Sequence, residues 1–126
     1  MKEEARNWLK QAEADLRTSQ NSLKSKDYYA SVFWSQQVVE KCLKAAIIEN
    51  KGELAKIHDL VILGRMADLP KDLLKECEKI SGVYTESRYG ILDSEIPAEK
   101  FNEKDSLDSI SIAREILIWA KKTLKL

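Results

Sequence analysis

An all-α fold, an antiparallel up-and-down four-helix bundle with one additional short helix, is what this sequence predicts. Three observations carry it. Apolar residues recur at three- and four-residue steps through two long N-terminal segments. The link between those segments, Ser25-Lys26-Asp27, is too short for anything but a reversal of direction. No stretch of credible length alternates as a strand does, and there is no internal repeat or low-complexity tract. At 126 residues the chain is long enough to bury one core and too short for two, so a single helical domain is expected over 1–126.

Residues 2 to about 24 place Ala5, Trp8, Leu9, Ala12, Leu16 and Leu23 on one helical face, opposite Lys and Glu. Asp27 can cap a second helix that runs to about Asn50 and stops near Gly52. In Ile57-His58-Asp59-Leu60, Asp59 is the N-cap of a brief helix through Met66. Pro70 opens a further helix carrying Leu73, Leu74, Cys77, Ile80 and Tyr84, because proline is tolerated in a first turn. Residues 85 to 104 contain Gly90 and Pro97, lack clear periodicity and are expected to form a long connection. The last helix starts near Asn102 or Asp105 and runs almost to the end. Its apolar residues make one stripe of Ile110, Ala113, Leu117, Ala120 and Leu124 and a second of Ile112, Ile116 and Trp119. Such a helix needs cover on more than one side, from a central place in the bundle or from a second subunit.

The charge balances, 21 basic against 21 acidic residues, so no global field draws the chain to nucleic acid or membrane, and any polyanion binding must be local. No apolar run follows Met1-Lys2-Glu3-Glu4 and no window approaches a membrane span. No membrane association is expected, and the expected location is cytoplasmic. Cys42 and Cys77 stand far apart beside a single histidine, which argues against a zinc site or redox pair and for two buried, reduced thiols. Glu3-Glu4 and Glu76/Glu78 read as solvated faces, so neither a metal nor a cofactor is expected. A P-loop and a Ser/His/Asp hydrolase signature are both missing.

The second helix holds the most informative residues. Tyr29, Val32, Phe33, Val39, Leu43, Ala46 and Ile47 share one side of it, and Gln36 and Glu40 fall among them. A carboxylate in an apolar seam costs several kcal/mol, roughly, unless a cation or donor meets it, so Glu40 should have a designated partner. Arg88 is one candidate, and the two are expected to touch directly or through one water. A structural hydrogen-bond network between helices is the plainer alternative. His58 beside Asp59 could serve acid and base chemistry, or Asp59 could cap the helix while His58 ties the loop down. In Tyr84-Thr85-Glu86-Ser87-Arg88-Tyr89-Gly90, an arginine flanked by tyrosines could hold a phosphate in its guanidinium fork and stack a base.

Taken together and in order, Trp8 to Leu16, the Tyr28–Ala45 helix with Gln37 and Glu40-Lys41, His58-Asp59-Leu60, and Ser87-Arg88-Tyr89 resemble the HEPN domain family over almost the whole chain. The resemblance implies an up-and-down bundle with a short extra helix, a homodimer, and partnership with a minimal nucleotidyltransferase in a toxin–antitoxin-like pair. Many members are metal-independent RNases with an Arg followed, after about four to six residues, by a His. Here no histidine follows Arg65, Arg88 or Arg114, so nuclease activity is not carried over, and the catalytic candidates are Arg88 and His58. The ligand-binding candidates are Gln37, Glu40, Lys44, His58, Asp59, Arg88 and Tyr89. The expected function is binding of a nucleotide, an RNA end or a nucleotidyltransferase partner. The alternatives are an RNase toxin using Arg88 and His58 in a non-standard site, and a pure protein-interaction module.

Overall fold

Two long helices joined by a tight reversal, α1 (Glu3–Lys24) and α2 (Tyr28–Lys51), open the chain. The structure is a computed structural model that describes residues 1–89 and 96–125, and the side chains of all of these except 82–89 and 97. Helices α3 (Leu60–Met66), α4 (Lys71–Tyr89), α5 (Pro97–Lys100) and α6 (Glu103–Thr123) follow. No strand occurs among the described residues.

Contacts at both ends show that α1 and α2 are antiparallel. At one end Lys2 donates through its backbone N–H to Glu49 Oε1 (2.7 Å) and through Nζ to the Ile48 carbonyl (3.1 Å). At the other, Ser19 Oγ donates to the Ser31 carbonyl at 2.7 Å. Helix α6 runs with α2: Ser106 Oγ near its start donates to the Tyr28 carbonyl (3.2 Å), and Leu124 at its end shares a cavity with Met1, Glu49 and Asn50. Helix α4 opposes α2, since Asp68 just before it meets Lys51 (4.0 Å) while Gln36 Nε2 donates to the Ile80 carbonyl (3.1 Å). Directions therefore alternate through the four long helices, the up-and-down order.

Local signals explain most of the boundaries. Gly52 takes φ 74°, the left-handed cap that favours glycine, and its N–H donates to the Ile48 carbonyl at 2.9 Å. Asp59 Oδ1 accepts from the backbone N–H groups of Val61 and Ile62, both at 3.0 Å. Asn102 and Asp105 form a reciprocal capping box at the start of α6. Asp27 departs from expectation. It occupies the N-cap position of α2 and its carbonyl accepts from Ser31 N–H (3.0 Å), but its side chain caps nothing.

One further expectation needs correction. Residues 85 to 104 are not one long connection. Helix α4 continues to Tyr89, because Gly82 alone does not stop a helix and no proline follows within it, and Pro97 opens α5 in its first turn. The described residues thus hold two short helices rather than one, while Gly90 to Glu95 lie outside them. The central place in the bundle belongs to α2 and not to α6. Helix α2 packs against every other helix and buries residues around its whole circumference, from Ser31 and Val32 to Ile47 and Ile48. Helix α6 leaves Leu107 and Ile118 in solvent, 50% and 66% exposed.

The core is built where α1, α2, α3, α4 and α6 meet, around Leu9, Val39, Leu43, Ile47, Leu60, Leu63, Ile80 and Ile116. Both cysteines are free and buried in it. Burial pushes the Cys77 thiol up to about 12 and the Cys42 thiol higher still, so both stay protonated at neutral pH. No helix among the described residues is long and apolar enough to cross a membrane.

Candidate functional site

A helix buried on all sides must either be apolar all round or satisfy its polar groups internally. Helix α2 does the second. Near its start, Ser35 and Ser31 meet Ser19 of α1 at 2.8 and 3.2 Å. Next to Ser35, Gln36 is fully buried; its Nε2 reaches the Ile80 carbonyl, while its Oε1 has no hydrogen-bond partner among the described residues. On the α1 side, Lys41 pairs with the buried Asp15, which also accepts from Gln11 Nε2 at 2.9 Å. Lys41 Nζ stands 5.9 Å from the centroid of the Trp34 ring.

Glu40 is the centre of the remaining cluster. It is 5% exposed, and its Oε2 accepts from Lys44 Nζ at 3.2 Å and from His58 Nδ1 at 3.1 Å. An ionised carboxylate can only accept, so Nδ1 carries the proton and Nε2 is the basic nitrogen of the neutral imidazole. The imidazole itself is outside: the His58 side chain is 67% exposed. Lys44 is as buried as Glu40, and its Nζ lies over the Trp8 ring, 5.6 Å from the centroid. Among the described residues Glu40 Oε1 has no hydrogen-bond partner. A buried carboxylate thus positions an exposed ring from beneath, a geometry suited to acid–base chemistry or to donating a hydrogen bond to an anion.

The structure brings together Glu40, Lys44 and His58 of the residues singled out by sequence, with Asp59 next to His58 and occupied in capping α3. The aspartate serves the helix, and the histidine ties its loop to a different carboxylate, Glu40. Gln37 is half-buried and contributes no hydrogen bond to the cluster; its neighbour Gln36 is the one drawn into the core. Arg88 and Tyr89 belong to the last turn of α4, and their side chains, with the expected Arg88–Glu40 contact, lie outside the described residues. The donors found on Glu40 are Lys44 and His58. Among the described residues no three His, Cys, Asp or Glu side chains converge as a metal site would require.

Trp8 went unnoticed as anything but a core residue, since its spacing on α1 is that of a packing position. The signal that could have found its second role is the Glu40–Lys44 pair at i and i+4, whose cation must rest against something once the pair is buried.

Comparison with known proteins agrees with this architecture. The sequence model of the HEPN domain matches residues 5–123. A protein of Methanocaldococcus jannaschii named "Putative toxin MJ1304" is 30% identical over 137 aligned positions, which cover 96% of this chain and 88% of that one. Among solved structures, TT1696 from Thermus thermophilus superposes with a TM-score of 0.87 at 28% identity, over 97% of this chain and 99% of that one. The archaeal HEPN homologue ST0689 gives 0.80 at 31% identity, over 97% and 98%. With the match spanning all four long helices, the chain belongs to the HEPN domain family.

Proposed function

We propose that this chain is a dimeric, cytoplasmic HEPN-type protein that binds a nucleotide or an RNA end on the His58 side of α2, and that it works with a minimal nucleotidyltransferase in a toxin–antitoxin-like pair. The observation that carries the binding is the His58–Glu40 hydrogen bond at 3.1 Å, an exposed imidazole held by a buried carboxylate. His58 meets the phosphate, and Glu40 and Lys44 act as positioning residues beneath; Arg88 and Tyr89, whose side chains lie outside the described residues, are proposed from the sequence motif alone as a guanidinium and a ring for the same ligand. Asp59 fixes the loop by capping α3, and Gln37 borders the surface. The toxin name of the M. jannaschii relative supports the pairing, and the exposed Leu107 and Ile118 of α6 support the dimer.

Calorimetric titration with ATP, GTP and a 5′-phosphorylated oligoribonucleotide tests this reading. Heat of binding that disappears in His58→Ala is the expected result. No heat with any of the three would leave only protein partners.

One observation favours a second reading, that of an RNase with a non-standard site. Because Nδ1 donates to Glu40, Nε2 can take the proton of a ribose 2′-hydroxyl as that oxygen attacks the adjacent phosphorus; the P–O5′ bond breaks, the 5′-oxygen takes the proton back from Nε2, a 2′,3′-cyclic phosphate is left, and Arg88 is proposed to offset the phosphorane charge. Degradation of RNA in the presence of EDTA, lost in both His58→Ala and Arg88→Ala, would establish it; intact RNA would remove it.

A further inference from the structure

Two aromatic rings, one half-buried and one exposed, are tied to one buried ion pair. Lys44 Nζ lies 5.6 Å from the Trp8 centroid and 3.2 Å from Glu40 Oε2, which is in turn 3.1 Å from His58 Nδ1. With these contacts in series, the indole and the imidazole nitrogen stand within about 12 Å of each other, and both are held by the same pair. The indole also borders an open cavity of about 250 Å³, whose other walls are Glu4, Asn7 and Gln11, all on α1. At spacings of three and four residues these side chains ring the indole on one helical face.

We infer that Trp8, Asn7 and Gln11 form a nucleobase subsite, in which a base stacks on the indole while the phosphate of the same ligand reaches His58. This rests on the nucleotide reading above and adds the residues that take the base. A planar ring fits because the indole is flat and the wall of the cavity is almost wholly apolar, with the Asn7 and Gln11 amides at its rim. Gln11 is already oriented, its Nε2 donating to Asp15 Oδ1 at 2.9 Å, which leaves its Oε1 to accept from an exocyclic amine. A cationic ligand is disfavoured, since the Lys44 ammonium already lies against this indole. Glu4 sets the polarity of binding: its carboxylate repels a phosphate from the cavity and turns that end of the ligand towards His58.

Titration of the full chain with AMP and with ribose 5-phosphate separates the subsite from the phosphate site. AMP should bind about five-fold or more tightly than ribose 5-phosphate and should quench tryptophan fluorescence, which ribose 5-phosphate should not. Trp8→Leu should abolish the difference between AMP and ribose 5-phosphate, while Trp8→Phe should retain most of it. Should Trp8→Leu fail to fold, the wild-type affinity ratio and the Trp8→Phe variant decide. Equal affinities in the wild type, or AMP binding untouched in a folded Trp8→Leu, would overturn the subsite and leave the phosphate reading standing. Absence of binding by both compounds would overturn the two together.

Discussion

Asp15 of α1 and Lys41 of α2 form an ion pair in which the aspartate is almost wholly buried and the lysine mostly so. Lys41 follows Glu40 directly, but the two side chains leave α2 in different directions and serve different ends. The Asp15 pair fastens two helices and has no exposed ring attached to it. Removing one member of a buried pair strands the other, which costs about 3–5 kcal/mol, whereas replacing both by apolar groups is often close to neutral. Lys41→Met alone should therefore lower stability by about that amount, and the Asp15→Leu/Lys41→Met double variant should recover most of it. Urea denaturation of the three proteins measures this.

Glu40 and His58 should separate in the opposite way. Glu40→Gln removes the counter-charge of Lys44, which is buried, and a loss of about 3–5 kcal/mol is expected. His58→Ala touches an exposed ring, and its stability should stay within about 1 kcal/mol of the parent. Both variants should lose ligand affinity, the first because the imidazole is no longer held and the second because it is gone. A Glu40→Gln protein as stable as the parent would mean that the ion pair is not what keeps Lys44 inside.

How far this was legible in the sequence follows from the kind of signal each feature leaves. Periodicity places the four long helices, and the short Ser25-Lys26-Asp27 link gives the reversal between the first two. Asp59 and Gly52 mark boundaries because their roles are local and stereochemical. The centrality of α2 is obscured by Ser31 and Ser35, which look like solvent-facing residues until Ser19 is brought against them. Helix α6 is more broadly apolar than its burial requires, since Leu107 and Ile118 are in solvent. The need for a partner at Glu40 is readable from burial alone. Its identity is not, because His58 arrives from a loop and Lys44 is an i,i+4 neighbour of the sort usually found on surfaces.

The two thiols give the structure a pH dependence on the alkaline side. Desolvation by burial is the main cause of both raised values, with Glu76 and Glu78 adding to Cys77. An unfolded thiol ionises near 9.0, whereas Cys77 holds its proton to about 12 and Cys42 beyond that. Between those limits the folded protein binds more protons than the unfolded chain, so stability falls as pH rises, by up to about 1.4 kcal/mol per unit for each thiol. Below about pH 9 the contribution is complete. Denaturation midpoints at pH 8 and pH 10 should show the fall, and a Cys42→Ala/Cys77→Ala variant should show less of it.

Leu43 is fully buried near the middle of α2, in the cluster that joins α2 to the other helices. Leu43→Ala deletes methyl groups where the surrounding helices have little freedom to close in, so a loss of about 2–5 kcal/mol is expected. A thermal or urea melt reads it directly. A loss under about 1 kcal/mol would mean that the helices relax into the space, and α2 would then be a less rigid base for Glu40 than proposed.

The outer face of α6 tests the dimer. Leu107 and Ile118 lie three turns apart, which brings them back to the same side of the helix, and at 50% and 66% exposed they are among the most exposed large apolar side chains described. In a dimer built on this face the two residues are covered; in a monomer they stay in water, where a charge in place of Ile118 does no harm. Ile118→Lys should therefore convert a dimer to a monomer in sedimentation equilibrium, because two copies of the charge would face each other across a two-fold axis. Its helical circular dichroism should match the parent, since the side chain packs on nothing in the monomer that a lysine stem cannot also cover. A parent that sediments as a monomer at every concentration would refute the dimer itself. A variant that remains dimeric would place the interface on another face and leave Leu107 and Ile118 as ordinary exposed residues.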